Sequence, residues 1–359
     1  MFGGTAVLRD ERLLAEVRRA YPAARLFGCS TAGEIAGTQV TDDTLVVTAI
    51  RFAGTRFRDA CIELGDQAAS FAAGANLARS LPAAIPAETG GPEDKLVHVF
   101  VLSDGLHVNG SELVRGLTEH LPESVSVTGG LAGDGERFGE TLVLWNGTAA
   151  TRIVAALGLY GSRLRVGFGS LGGWDPFGPE RLITRSTGNV LYELDGQSAL
   201  GLYRQYLGEH AKGLPATGLL FPLSLRTAAG KTAVVRTILA VDEAAQSLTF
   251  AGDVPEGSYA QLMMTNFDRL IDGAVGAART CHRALGAIRP ELALLISCVG
   301  RKLVLRQRIE EEVEGVREVL GREAVLTGFY SYGEISPFTP EARCELHNQT
   351  MTVTVLAEE

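Results

Sequence analysis

Long apolar runs, basic clusters and paired cysteines are scarce in this 359-residue sequence, and each absence argues against a class of protein. The longest apolar stretches, such as residues 292–296, fall far short of the roughly 20 residues that span a bilayer. We therefore expect no membrane insertion. Lys and Arg number 33 against 42 Asp and Glu, with no long basic run, so we also expect no nucleic-acid groove.

The cysteines give no sign of a disulfide framework. There are five of them, an odd number, and no two stand in a C-x-x-C pair. Free thiols are typical of a reducing compartment. The first residues, MFGGTAVLRDERLL, have neither the basic nor the apolar segment of a signal peptide. These observations predict a cytoplasmic protein.

Glycine, in contrast, is abundant: 43 of 359 residues, about 12% against a usual share of about 7%. Many tight turns or close backbone approaches follow from that share. Helical and strand periodicities alternate along the chain, with helices predicted over residues 10–19 and 259–285. Residues 96–120 predict a strand, a loop and a helix in succession.

The alternation predicts a mixed α/β (α+β) fold of two lobes. Each lobe has a mixed sheet with packed helices, and a partial internal repeat relates the two. After residue 150 the pattern becomes mostly β, until a helical period returns at residues 198–207. We place the domain boundary just before that helix, which gives domains of residues 1–195 and 196–359.

The internal repeat is carried by two glycine-rich segments. Residues 27–35 read FGCSTAGEI and residues 327–335 read TGFYSYGEI, so both contain G-x4-G-E-I at an offset of 300 positions. Residues 127–134, VTGGLAGD, form a third turn of similar kind. Glycines let the backbone approach a neighbour or ligand closely, while loop amides and a fixed carboxylate supply donors and acceptors.

These turns allow two interpretations. They line a pocket for a small polar ligand between the lobes, or their acids only bind loop amides and hold the architecture together. On the first, we expect the carboxylates to face the cleft between the lobes. The candidate ligand-binding residues are Cys29, Ser30, Thr31, Glu34, Gly130, Asp134, Tyr332, Glu334, His347 and Asn348.

The sequence resembles the FIST domain family, a bacterial sensory and signalling family with N-terminal and C-terminal parts. The motifs behind the resemblance occur in family order and include GCSTAGEI (28–35), GGLAGDG (129–135), GFYSYGEISPF (328–338) and LHNQTMTVTVL (346–356). One departure is at the front, where MFGG leaves only the end of the longer first strand that the family normally has.

The resemblance implies a sensor for a small molecule such as an amino acid. Its output would pass to a separate signalling enzyme, such as a histidine kinase or a cyclic-di-GMP enzyme. One subgroup resembles haem proteins that sense nitric oxide and act on such partners. For haem, His347 is our choice of axial ligand, because it lies close in sequence to the second G-E-I segment.

Catalysis is the third alternative, and we expect that the protein is not an enzyme. Cys29 in its glycine-rich turn, with Glu34 nearby, is a candidate nucleophile only if the thiol has a low pKa. The G-x-G-x-x-G at residues 167–172 is followed by Trp174, Asp175 and Pro176, where a dinucleotide-binding helix would have to begin. We therefore reject a dinucleotide site.

Overall fold

A computed structural model describes residues 1–65, 67–86, 93–214, 216–226, 233–338 and 342–359 of the chain. The α-helices are Thr5–Leu8 (α1), Glu11–Ala20 (α2), Ser70–Arg79 (α3), Gly110–His120 (α4), Ala199–Leu207 (α5), Phe267–Leu285 (α6), Val299–Leu305 (α7) and Ile309–Leu320 (α8). Short 3-10 turns lie at Gln67–Ala69, Gly208–Gly213, Ala216–Leu220 and Arg306–Arg308.

The strands, in chain order, are Phe2–Gly3 (β1), Phe27–Ser30 (β2), Glu34–Ala36 (β3), Gln39–Thr41 (β4), Leu45–Val46 (β5), Arg56–Glu63 (β6), Ala84–Ile85 (β7), Asp94–Ser103 (β8), Ser126–Leu131 (β9), Val143–Trp145 (β10), Thr148–Ala150 (β11), Ile153–Tyr160 (β12), Leu164–Leu171 (β13), Asp175–Thr187 (β14), Val190–Leu194 (β15), Gln197–Ser198 (β16), Leu223–Arg226 (β17), Ala233–Arg236 (β18), Ile238–Asp242 (β19), Ser247–Phe250 (β20), Tyr259–Met264 (β21), Leu292–Cys298 (β22), Val325–Ser331 (β23), Gly333–Pro337 (β24), Cys344–His347 (β25) and Met351–Glu358 (β26). The predicted mixed α/β class is confirmed.

Helix ends follow local chemistry. Asp10 caps α2 by accepting hydrogen bonds from the amides of Arg12 and Leu13, as N-cap carboxylates do. Asn266 caps α6 in the same way, and Gly286, with φ of 64°, ends it. The prediction of one helix over residues 259–285 is wrong in its first part. Tyr259–Met264 is strand β21, paired with β14 and β17.

Three copies of one unit build the body of the molecule. In each copy a first strand pairs in parallel with a second across a helical connection, as in β1 with β2, β8 with β9 and β22 with β23. A later strand pairs antiparallel with the first: β5 with β1, β12 with β8 and β26 with β22. We call these copies repeats I, II and III.

The repeats exchange strands in a ring. In each repeat the strand after the glycine turn leaves its own sheet and pairs antiparallel with the second strand of another repeat. Thus β3 of repeat I pairs with β23, β24 of repeat III pairs with β9, and β10 of repeat II pairs with β2. Two of the three repeat sheets therefore combine strands from both sides of residue 196, while the boundary between 195 and 196 stays a prediction.

Glycine permits close helix packing in this body. A Cβ on Gly74 in α3 would lie 2.2 Å from the carbonyl oxygen of Leu113 in α4, and one on Gly116 would lie 2.1 Å from that of Phe71. Only glycine fits where two helix backbones approach this closely. The main hydrophobic core lies between such helices and the repeat sheets.

A further sheet is inserted between repeats II and III. Its strands run in the order β18-β17-β21-β14-β15-β20-β19, with β16 beside β15. Helix α5 packs on this sheet, and the two share a separate hydrophobic core. In the described part of the chain, none of the helices has the length and apolar character needed to cross a membrane.

Candidate functional site

The three glycine turns meet where the repeats join. The Ala32 amide donates to the carbonyl oxygen of Tyr330 at 2.8 Å, and the Gly133 amide donates to that of Ser30 at 2.9 Å. The Tyr332 amide donates to the carbonyl oxygen of Leu131 at 3.3 Å. The sequence repeat therefore marks three turns that touch one another, each at the junction of two repeats.

The Glu34 side chain accepts hydrogen bonds from residues of its own repeat. Its carboxylate accepts from the Thr31 hydroxyl and from both the amide and the hydroxyl of Thr44, the latter at 3.0 and 2.7 Å. The side chain is fully buried. Burial raises the pKa of Glu34, and the hydrogen bonds from Thr31 and Thr44 oppose that rise. Glu34 thus ties the glycine turn to the start of β5.

Glu334 does the same in repeat III. It accepts from the Ser331 hydroxyl at 2.6 Å and from the Thr350 amide and hydroxyl at 3.2 and 2.9 Å. Burial raises its pKa to about 8, against the effect of these hydrogen bonds. Glu334 therefore ties its turn to the start of β26.

Asp134 closes the turn of repeat II and links it to repeat III. Its carboxylate accepts from the amides of Gly139 and Glu140, each at 2.9 Å, and from the Tyr332 hydroxyl. That hydroxyl in turn accepts from the amides of Asp134 and Phe138, and the Phe138 ring stacks on Tyr332 at 4.5 Å.

Three of the candidate residues lie in strands beneath the turns. Cys29 is fully buried in a hydrophobic cluster, and burial raises the pKa of its thiol well above the ordinary value. A protonated, buried thiol is a poor nucleophile. The Ser30 hydroxyl accepts from the Leu142 amide at 2.8 Å, and Gly130 pairs with Glu334 in the sheet.

Thr31 lies at the edge of a large open space that we call the outer cleft, of about 800 Å³. Its wall combines the glycine turn of repeat I, the two residues that follow β4, the turn of repeat II, the 3-10 turn before β17, and α7 with the residue after it. The described wall residues are Thr31, Ala32, Gly33, Asp42, Asp43, Gly135, Glu136, Arg137, Thr217, Leu219, Leu220, Val299, Lys302, Leu303, Val304 and Arg306.

A second, smaller space, the inner cavity of about 130 Å³, lies beside it, and Leu219 and Val299 belong to both walls. Repeats II and III form one side and the inserted sheet forms the other. Of the candidate residues, Tyr332 and Asn348 contribute to it. The described wall residues are Gln67, Gly105, Leu106, Val108, Asn109, Leu131, Phe138, Asn189, Leu219, Thr237, Leu239, Phe250, Ala251, Gly252, Asp253, Cys298, Val299, Gly300, Tyr332 and Asn348.

Two residues of the inner cavity wall each have a buried polar atom without a hydrogen-bond partner among the described residues, namely Asn348 Oδ1 and Thr237 Oγ1. The Asn348 side chain is fully buried, and its Nδ2 donates to the carbonyl oxygen of Tyr332 at 3.4 Å. Thr237 is 4% exposed. Buried polar atoms without a partner are rare and cost about 1–3 kcal/mol each, so Asn348 and Thr237 are unusual among the residues of this wall.

His347, the neighbour of Asn348 in the chain, is also buried, but it lines neither of the two spaces. Its Nε2 bonds the carbonyl oxygen of Ser336 at 2.7 Å, and its ring meets that of Phe338 edge to face at 4.1 Å. Burial lowers the pKa of His347 to about 4. Nδ1 has no partner among the described residues, yet His347 belongs to neither described wall.

Haem does not fit either space. The inner cavity is well below the roughly 300 Å³ at which pockets for drug-sized ligands begin. The outer cleft is larger, but its described wall holds none of the His, Cys, Met or Tyr side chains that ligate haem iron. Within the described ranges, no cluster of three or more His, Cys, Asp or Glu is placed to hold a metal ion.

Reasoning from the sequence missed the inserted sheet's share of the site. Thr237, Phe250 and Asp253 line the inner cavity, although no glycine motif surrounds them. Their sequence context is that of ordinary β-strands and turns, so only the fold brings them to the three turns. The ligand-binding role of the ten candidate residues stays a prediction.

The fold and site define a protein of three strand-exchanging α/β repeats with an inserted sheet over their junction. Residues 1–197 match the family model of the FIST N domain, and residues 199–337 match that of the FIST C domain. The chain belongs to the FIST family, whose domains are generally sensors in signal transduction.

Individual relatives are distant. An uncharacterized protein of Methanocaldococcus jannaschii is 23% identical over 208 residues, which make up 54% of this chain and 39% of that protein. The chain thus spans about two fifths of that relative. A crystal structure of cyanuric acid hydrolase from A. caulinodans is 12% identical, covers 85% of this chain and 99% of its own, and has a TM-score of 0.20.

Proposed function

We propose that this protein is a sensory module that binds a small ligand, such as an amino acid, in the inner cavity and passes the bound state to a signalling enzyme. One observation carries the proposal. Asn348 lines a cavity where two repeats and the inserted sheet meet, and its buried Oδ1 has no partner among the described residues.

A ligand whose binding opens the wall to Asn348 Oδ1 and Thr237 Oγ1 would satisfy these unpaired atoms. An unsatisfied buried acceptor destabilises the folded protein by about 1–3 kcal/mol, and a bound donor removes that cost. The wall is otherwise largely apolar, as small-molecule sites commonly are. Membership of the FIST family supports the sensory part of the proposal.

The two spaces offer a route for the signal. Leu219 and Val299 stand in both walls, so a ligand that moves them in the inner cavity also reshapes the outer cleft. Arg137 and Arg306 are exposed in that cleft. We place the docking of a partner, such as a histidine kinase or a cyclic-di-GMP enzyme, on this outer side.

Thermal-shift and calorimetric titration with the twenty amino acids tests the binding step. Ala251 lines the inner cavity and is half-buried, so Ala251→Phe fills it. Leu239→Trp, at the exposed rim, is a second filling variant. Ala244, exposed in the turn between β19 and β20, gives the matched control Ala244→Phe.

We expect at least one amino acid to raise the unfolding temperature of the natural protein and of Ala244→Phe, and to leave both filling variants unchanged. Binding that survives in both filling variants would overturn the proposal, and so would the lack of any binding. With a ligand in hand, its effect on autophosphorylation or cyclic-di-GMP turnover by a partner tests the output.

A further inference from the structure

We infer that residues 136–138 form a lid on the inner cavity, with Phe138 closing its mouth. The inference rests on the proposed function, since it describes how a ligand enters the proposed site and how the outer cleft responds. It comes from the position of one short loop. This loop contributes Phe138 to the wall of the inner cavity and Gly135, Glu136 and Arg137 to the wall of the outer cleft.

The Phe138 side chain lies at the mouth of the inner cavity, because it lines the cavity and is still 43% exposed. Its ring stacks on that of Tyr332, another wall residue, with the centroids 4.5 Å apart and the planes 14° from parallel. Tyr332 is only 7% exposed. Turning Phe138 outward would therefore uncover the Tyr332 ring and widen the entrance.

The two ends of the lid are tied to the body of the molecule. Before the lid, the Gly135 carbonyl oxygen lies 3.0 Å from the Tyr332 hydroxyl. After it, the amides of Gly139 and Glu140 donate to the Asp134 carboxylate, each at 2.9 Å. A glycine at each end leaves the backbone free to turn there, as at the hinges of many mobile loops.

The lid itself is held more weakly than its ends. The Phe138 amide donates to the Tyr332 hydroxyl at 3.3 Å, which is long for a hydrogen bond. Arg137 pairs with Asp43 at 3.6 Å, with both side chains exposed, and such pairs contribute little stability. The φ of Phe138 is 49°, in the left-handed region that bulky residues rarely adopt. Opening the lid relieves this strain, so the closed position is easily left.

Movement of the lid also reaches the outer cleft. Arg137 directly precedes Phe138, and its partner Asp43 lines the same cleft. A swing of the Phe138 ring therefore displaces the Arg137 side chain from Asp43. The lid gives the two spaces a second connection besides Leu219 and Val299.

Thiol labelling tests the lid without a ligand. Val108→Cys places a thiol in the inner cavity wall, where Val108 is 9% exposed. The matched control is Val114→Cys, at a position of α4 that is 2% exposed and outside both described walls. Methyl methanethiosulfonate labels the thiols, and peptide mass spectrometry separates each introduced site from the five native cysteines.

Adding Phe138→Ala should raise the labelling rate at position 108 at least about fivefold, because the mouth then stays open. Phe138→Tyr keeps the ring and should leave that rate unchanged. The rate at position 114 should respond to neither variant. A rate at position 108 that ignores Phe138→Ala would overturn the lid. A parallel rise at positions 108 and 114 would also overturn it, because it would show a loss of overall stability.

Arg137→Glu tests the connection to the outer cleft. The new carboxylate stands beside Asp43, and their repulsion should raise the labelling rate at position 108 at least about twofold. Arg19→Glu makes the same change of charge at an exposed position of α2 and should have no effect. Equal rates in the two charge variants would overturn the connection.

The labelling needs no ligand, so its outcome is independent of the amino acid titration. A responsive position 108 beside a titration in which no amino acid binds would support the lid and overturn the proposed function. Amino acid binding beside an unresponsive position 108 would overturn the lid and leave the inner cavity as the ligand site.

Discussion

Glu34 and Glu334, 300 positions apart, accept equivalent sets of hydrogen bonds. Each takes one from a hydroxyl three residues earlier, Thr31 or Ser331, and two from the amide and hydroxyl of a later threonine, Thr44 or Thr350. The repeated G-E-I motif therefore corresponds to the same arrangement of hydrogen bonds in repeats I and III. In both repeats the glutamate fixes the turn to the strand that returns beside the first strand.

The raised pKa of Glu334 predicts a decline of stability on the alkaline side. Its folded-state pKa is about 8 against an ordinary 4.5, so the folded protein holds a proton that the unfolded chain releases. This contribution is complete below about pH 4.5 and is lost as the pH rises through about 8, with a slope of up to about 1.4 kcal/mol per pH unit. We expect Glu334→Gln to flatten the free energy of unfolding measured in urea from pH 5 to 8.

Glu318→Gln is the control for that experiment, because Glu318 is exposed on α8. It should keep the slope of the natural protein. An equal slope in Glu334→Gln and the natural protein would show that Glu334 is ionised in the fold, contrary to the prediction.

The contribution of the contact between Tyr332 and Asp134 to stability can be measured with Tyr160 as a control. The Tyr332 hydroxyl bonds the Asp134 carboxylate and two backbone amides, whereas Tyr160 Oη is buried without a partner among the described residues. We expect Tyr332→Phe to lower the free energy of unfolding by about 1–3 kcal/mol and Tyr160→Phe to leave it unchanged or raise it. Chemical denaturation of both variants measures the difference, and equal losses would contradict the structure.

The sequence predicts the class of fold and the positions of the glycine turns, since both depend on local patterns. It does not predict that β3, β10 and β24 cross to other repeats, because strand pairing between distant segments leaves no local period. The same limit explains why the sequence predicts a helix where the structure has strand β21. Its apolar residues fit a helical stripe, and only pairing with β14 and β17 makes them a strand.

The site was predictable to a similar extent. Tyr332 and Asn348 were found because they flank or follow a repeated motif, and both line the inner cavity. The acids of the motif were expected to face a cleft, but Glu34 and Glu334 lie outside the described walls. The threonines that bind them lie 10 and 16 residues further on, at a spacing that no motif fixes.

A buried ion pair joins the cavity helix α7 to α8. Arg301 Nη2 lies 2.6 Å from Glu312 Oε2, both side chains are fully buried, and the other Glu312 oxygen accepts from the Tyr330 hydroxyl at 2.7 Å. Removing one partner leaves a buried charge, so we expect Arg301→Met and Glu312→Gln each to cost about 3–5 kcal/mol. The double variant should cost clearly less than their sum in a urea double-mutant cycle. Additive losses would refute the coupling.

His347 lies opposite Glu334 in the ladder between β24 and β25, and its titration limits stability on the acid side. Burial lowers the pKa of His347 from 6.5 to about 4, so the folded state keeps the imidazole neutral while the unfolded chain takes up a proton. The contribution is complete above about pH 6.5 and is lost as the pH falls through about 4, again with a slope of up to about 1.4 kcal/mol per pH unit.

His347→Gln keeps a donor for the Ser336 carbonyl oxygen and removes the titration, so the free energy of unfolding should fall less steeply from pH 6.5 to 4.5. His282→Gln, at an exposed position of α6, controls for the loss of an imidazole and should retain the natural slope. Because the two cross-strand partners are both neutral between about pH 4 and 8, the double variant with Glu334→Gln should depend less on pH than the natural protein on both sides of neutrality. Burial also lowers the pKa of His98, to about 3, so part of the acid-side slope should remain. An acid-side slope in His347→Gln as steep as that of the natural protein would mean that the natural folded protein binds a proton at this histidine.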